Sequence, residues 1–240
     1  MTTHYVLQAE DVAIHYGGVK ALDGVSLTLE KGQIRGLIGP NGAGKSTVID
    51  AITGRRRLTR GRVLLDGEDV TALGAVERRQ RGLSRSFQRT SIFAGMAVRR
   101  QVELASHRMG VADSGADADA VLEELDLARL SHMLAEDLGY GEQRRLDLAL
   151  ALVGRPKLLM LDEPMAGLSV KESHDLARHL KALTSRWEVS VLLVEHDMDV
   201  VFGISDAVTV FELGRVIASG EPAAVRADAR VREAYLGSAA

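Results

Sequence analysis

Residues 39 to 47 read GPNGAGKST, and they restrict what this chain can fold into more than any other stretch. The nonapeptide matches G-x-x-x-x-G-K-[ST] in full. An apolar run, Ile34 to Ile38, leads into it, and a helical pattern from Lys45 to Thr53 leads out, stopped by Gly54. Strand, glycine loop and helix in that order make a cradle for phosphate. The glycines let backbone N–H groups turn inward, and the helix N-terminus adds partial positive charge. Lys45 is placed to reach the β- and γ-phosphates of a nucleotide, and the Ser46 hydroxyl to ligate Mg2+. Gly39, Pro40, Asn41, Gly42, Ala43, Gly44, Lys45, Ser46 and Thr47 are therefore the candidate nucleotide-binding residues. The loop alone does not separate kinases, GTPases, helicases and motors.

A second element narrows the choice. LLMLDEP (158 to 164) puts Asp162 at the end of an apolar strand, with Glu163 next to it. Asp162 is placed to hold Mg2+, and Glu163 to orient or deprotonate an attacking water. Adjacent carboxylates after a strand also suit a solvated turn, but the upstream phosphate loop favours the first reading. His196, in LLVEHD, lies just past another apolar strand, where ligands collect in parallel sheets. It could hydrogen-bond a γ-phosphate. The remaining histidines have no metal-ligand spacing.

Continuous apolar runs at Leu158 to Leu161 and Val189 to Val194 suit parallel strands covered on both faces. Val170 to Trp187 between them reads as a crossover helix. Alternation in His4 to Ile14 and Val25 to Leu29 suggests earlier strands, with turns at Gly17-Gly18 and Asp23-Gly24. Residues 96 to 153 are helical in pattern, with VADSGADADA (111 to 120) as a loop between helices. The expected fold class is α/β with a largely parallel sheet. The chain has no cysteine, which excludes disulfide scaffolds and thiolate chemistry. The N-terminus lacks the basic start and apolar run of a signal peptide, and no window suits a membrane span. The expected location is the cytoplasm.

In order, GPNGAGKST, Gln88 in SRSFQR, LGYGEQRR, LLMLDEP and EHD resemble an ABC-transporter ATP-binding subunit over essentially the whole chain. YGEQRRL, EHDMDVVFGISD and the terminal AYLG are most similar to such subunits of branched-chain amino-acid importers. The resemblance implies a P-loop NTPase core at about 1–89 and 154–240, N-terminal antiparallel strands, and a helical subdomain at about 90–153. It implies ATP and Mg2+ as cofactors, and hydrolysis promoted by Glu163, His196, Gln88 and Lys45. Ser46, Gln88 and Asp162 would hold the metal, and Tyr16 would stack on adenine. LGYGEQ occupies the place of the family's signature loop, which closes on the nucleotide of a second, head-to-tail ATPase domain. Gly139, Tyr140, Gly141, Glu142 and Gln143 would then bind in trans. Gly139 stands where the family usually has serine, and Ser169 where it usually has an aspartate or asparagine, so a heterodimer fits. Integral permease subunits, and through them a solute-binding protein, are the implied partners, with the chain peripheral on the inner membrane face. Two other readings are a soluble ABC ATPase acting on nucleic acid or ribosomes, and a non-hydrolysing ATP-binding module.

Charge is unevenly spread. Residues 55 to 108 carry thirteen arginines, no lysine and five acids, within a chain of net charge −3. This basic stretch suits a solvated face, a contact with a permease and an anionic leaflet, or nucleic acid. The scarcity of interleaved aromatics argues against nucleic acid.

Overall fold

A computed structural model describes residues 4–86 and 90–236. Its strands and helices follow in the order β1 (Tyr5–Tyr16), β2 (Val19–Glu30), β3 (Ile34–Ile38), α1 (Lys45–Ile52), β4 (Arg60–Leu65), β5 (Glu68–Asp69), α2 (Ala75–Gln80), β6 (Leu83–Ser86), α3 (Val98–Arg108), α4 (Ser114–Glu124), α5 (Tyr140–Leu152), β7 (Leu158–Asp162), α6 (Val170–Arg186), β8 (Ser190–Val194), α7 (Met198–Ile204), β9 (Ala207–Glu212), β10 (Arg215–Gly220), α8 (Pro222–Ala227) and α9 (Ala229–Leu236). A six-stranded sheet has the order β10-β9-β3-β8-β7-β6, and a four-stranded antiparallel sheet the order β2-β1-β4-β5. Within the larger sheet only β10 runs antiparallel to its neighbour. Every residue of β3, β7 and β8 is buried, as mainly apolar parallel strands require, with Arg35, Asp162 and Ser190 the buried polar exceptions.

Side chains from α3, α4, α5 and α6 share one buried cluster with Ile34, Leu159, Leu161, Val191 and Leu193 of the sheet. Val48, Ile49, Ala51 and Ile52 of α1 lie in a second cluster, between the two sheets. The helix that begins in the phosphate loop is thus wedged between them.

Two expectations are corrected. Asp23-Gly24 is not a turn, because β2 runs through it. Val12 faces Val25 and Ile14 faces Leu22, so β2 carries one extra residue and bulges there. Gly24, at φ +77°, supplies the conformation such a bulge needs. The Asp23 amide donates to the Gly214 carbonyl at 3.0 Å, tying the bulge to the β9–β10 hairpin. Likewise, residues 111 to 120 are mostly helix. Asp113 caps α4 by accepting from the Ala116 amide, and Ala118, Val121 and Leu122 bury one face. Packing outweighs the loop-like composition.

The arginine-rich stretch is largely spent inside the chain. Arg60, Arg62, Arg81, Arg85, Arg99 and Arg100 pair with carboxylates. Arg79 donates to the Val153 carbonyl. Arg78, 1% exposed, donates to the carbonyls of Ala51, Ile52, Thr71 and Leu73. It thereby donates to two C-terminal carbonyls of α1, of which Ala51 also accepts the Gly54 amide at 3.2 Å. Arg78→Met should take the donor from the buried carbonyls of Ile52, Thr71 and Leu73, at a cost of about 3 kcal/mol, lowering Tm by roughly 10 °C. A melt within a degree of wild type would remove Arg78 from this role.

Candidate functional site

Register places the site. Leu37 of β3 and Asp162 of β7 both pair with Val194 of β8, so the three strands end at one level. The segments that leave them, from Gly39, Glu163 and Glu195, meet at the carboxyl edge of the sheet. A cleft of about 500 Å³ opens there, lined by Val19–Ala21, Asn41–Thr47, Glu163, His196, Leu213 and Gly214. The phosphate loop thus shares one cavity with the candidate base and histidine.

Gly44 sits at φ +106°, and a Cβ there would meet the Ala21 carbonyl at 3.1 Å. α1 starts immediately after it, so the first N–H groups of the helix have no intrahelical acceptor and are available to phosphate. Lys45 is 7% exposed, and its Nζ donates to the carbonyls of Gly39 (2.6 Å) and Pro40 (3.0 Å). Burial lowers its pKa, opposed by the charges of Glu163 and Asp162.

Glu163, at φ +52°, donates its amide to the Val194 carbonyl at 2.9 Å, which fixes the turn after β7. Its carboxylate meets Nε2 of His196. Asp162 is buried, and its Oδ2 accepts from Nη2 of Arg85 at 3.0 Å. Nη1 of Arg85 reaches Asp50 of α1 at 2.5 Å. Burial raises the Asp162 pKa, and the Arg85 charge opposes it. Among the described residues no cluster of three or more His, Asp or Glu forms a metal cage. The Ser46 hydroxyl at the cleft and the Asp162 carboxyl are oxygen donors of the kind Mg2+ takes, an ion that keeps most of its waters and needs few protein ligands.

Not every candidate meets in the cleft. Tyr16 is half-exposed at the end of β1 and is not among the lining residues, while Val19 and Leu213 are. Gln88 lies outside the described residues. Gly139 to Gln143 form the start of α5, on a separate hollow with Leu168 and Glu172. Three of these side chains are engaged within the chain, Tyr140 by donating its hydroxyl to the Ala166 carbonyl. Glu142 accepts the Gly139 amide at 3.0 Å, and Gln143 donates to the carbonyls of Ala135 and Leu138. The Gly139 amide therefore already has an acceptor.

Sequence reasoning missed Arg85, Glu195 and Tyr235. Glu195, 4% exposed, accepts the amides of Met165 (2.8 Å) and His196 (3.1 Å). An acid directly after the apolar run Val191 to Val194 was its visible signal. Burial pushes the Tyr235 phenol up to about 12, opposed by a hydrogen bond with the Gly39 backbone, so α9 reaches back to the phosphate loop.

This is the site of a P-loop ATPase. The description "ABC transporter" matches residues 22–166, and "Branched-chain amino acid ATP-binding cassette transporter" matches residues 215–240. The chain is 38% identical to the high-affinity branched-chain amino acid transport ATP-binding protein BraF of Pseudomonas aeruginosa, over 98% of both chains. It is 35% identical to LivG of Escherichia coli K12, another protein of that description, over 98% of both. The ADP conformation of MJ1267, an ATP-binding cassette of an ABC transporter, superposes with a TM-score of 0.89 at 31% identity, covering 98% of this chain and all of that one. The chain belongs to the ATP-binding, ATP-hydrolysing subunits of the ABC transporter family.

Burial is the largest influence on Glu195 and raises its pKa above the ordinary 4.5, the two amides opposing. Stability linked to this carboxyl is fully present below 4.5 and is lost as pH rises through the folded value. Wild type should therefore gain stability relative to Glu195→Gln as pH falls from 7 toward 4.5, measured by paired thermal melts. The opposite trend would mean that the amides outweigh burial.

Proposed function

We propose that this chain energises an importer for branched-chain amino acids by binding and hydrolysing MgATP between two head-to-tail ATPase domains. The observation that carries the reading is the shared cleft: Lys45, Glu163 and His196 face one cavity with the phosphate loop. Lys45 exchanges its contacts with loop carbonyls for phosphate oxygens. Glu163, oriented by His196, accepts a proton from the attacking water. Ser46, Asp162 and Gln88 would hold Mg2+, and the ion would supply positive charge to offset that of the phosphates. Tyr16 stacks on the adenine from the cleft's outer edge.

In the second domain, the start of α5 approaches the γ-phosphate with its remaining free amides. Gly139 brings neither a hydroxyl nor a free amide, which favours a partner of different sequence. The segment at about 90–153 acts as a helical subdomain on the core at about 1–89 and 154–240. A groove of about 260 Å³ between them, lined by Thr53, Arg79, Leu83, Ser86, Asp147 and Ala151, suits a short helix from a permease subunit. The chain then works at the inner face of the membrane, with a solute-binding protein acting through the permease. The match at residues 215–240 supports import of branched-chain amino acids. Pairing of Arg60, Arg62, Arg81, Arg85, Arg99 and Arg100 with carboxylates within the chain weakens the nucleic-acid alternative.

The test is ATPase rate per mole against protein concentration, with and without the cognate second ATPase subunit. Glu163→Gln should lower kcat by about 10²–10⁴-fold while ATP still binds. A rate that rises with concentration, or on adding the partner, supports the two-domain site. A rate unchanged by either, or an unimpaired Glu163→Gln, would overturn it.

A further inference from the structure

The loop after Glu163 is held from two sides. On one side, Tyr140 donates its hydroxyl to the Ala166 carbonyl at 3.0 Å. Its ring packs on Gly167, where an added Cβ would lie 3.0 Å from the hydroxyl. Arg144, one turn further along α5, stacks 5.5 Å from the ring centroid and points Nη2 at the same carbonyl. This guanidinium is 7% exposed, and its Nε and Nη1 have no partner among the described residues. The ring therefore holds it as much as any acceptor does.

On the other side, the Met165 amide is taken by Oε1 of Glu195, and Oε2 of the same carboxylate takes the His196 amide. His196 in turn meets Glu163, whose carbonyl accepts the Ala166 amide at 3.2 Å. The contacts run without a gap from Tyr140 through Ala166, Met165, Glu195 and His196 to Glu163. Tyr140 is half-exposed, so this end is open to a second molecule. The Glu195 end is buried, where hydrogen-bond geometry is tightly enforced.

We propose that Tyr140 and Glu195 are positioning residues at the two ends of this chain of contacts, coupling the N-terminal turn of α5 to the Glu163–His196 pair. A molecule that presses on the Tyr140 ring shifts Ala166 and Met165, and Glu195 passes the shift to His196. The consequence for catalysis rests on the two-domain reading: the partner domain, closing on α5, would set the catalytic pair in the same protein chain. Neither side chain touches the reacting atoms. Each acts by fixing where Glu163 and His196 stand.

The experiment uses the full chain as wild type, Tyr140→Phe, Glu195→Gln and the double variant, with two readouts. In amide NMR spectra, Tyr140→Phe should move the signals of Ala166, Met165 and His196. The His196 signal of the double variant should coincide with that of Glu195→Gln alone. In ATPase assays with the partner subunit present, each single variant should lower kcat about three- to tenfold. The double variant should lose clearly less than the product of the two single losses, because both residues act through the shared Met165–Ala166 segment. Shifts confined to Ala166 and Gly167 in Tyr140→Phe, or losses that multiply, would overturn the proposal. A wild-type rate indifferent to concentration and partner would sink the two-domain reading instead, and the single-chain spectra would still decide the coupling.

Discussion

The shared register of three buried strands is the constraint from which the site arises. β3, β7 and β8 have no exposed residue, so their backbone groups must pair with one another and cannot slip without leaving buried donors unpaired. Locked at Leu37, Val194 and Asp162, they release the phosphate loop, Glu163 and the Glu195-His196 turn at one edge. Segments far apart in sequence thus deliver a cation, a base and an imidazole into one cleft without a dedicated scaffold. The Glu163 amide bonded to Val194 continues the ladder one step past the strand, so sheet geometry still fixes Glu163 where regular structure ends.

Burial at that edge explains the electrostatics. Lys45, Asp162 and Glu195 are each nearly inaccessible, and each is pushed toward its neutral form by burial. Different groups answer that pressure: Asp162 and Glu163 for Lys45, Arg85 for Asp162, two amides for Glu195. Opposite charges close together outside water interact more strongly than at the surface, so each charged group depends on its neighbours for its charge state. Arg85 also lines the groove beside α5, so one guanidinium borders both the buried Asp162 carboxylate and that groove.

The cleft was legible in the sequence because its residues sit in local motifs with fixed spacing. GPNGAGKST, LLMLDEP and EHD each mark a strand end and the polar residues just past it, and the parallel sheet needs only their apolar runs. The parts that were not legible depend on partners far away in the chain. Arg78 reads as one of a run of surface arginines, yet four carbonyls from two segments bury it. Asp23-Gly24 reads as a turn because the dipeptide favours one. The Gly214 carbonyl and the long pairing with β1 make it a bulge instead. Composition at 111 to 120 favours a loop, and only the packing of Val121 and Leu122 against the other helices overrides it.

The start of α5 shows the same limit at a functional position. From sequence, LGYGEQ is a flexible loop whose glycines offer amides to a distant phosphate. In the fold its own side chains hold it in place: Glu142 on the Gly139 amide, Gln143 on two carbonyls, Tyr140 on Ala166. A loop fixed this way loses less conformational entropy on binding than a free one, which favours association. It also has fewer amides to give, which opposes it. The Tyr140 hydroxyl also ties this turn to the loop that follows Glu163, so one helix end carries both the bonded Gly139 amide and the hold on Ala166.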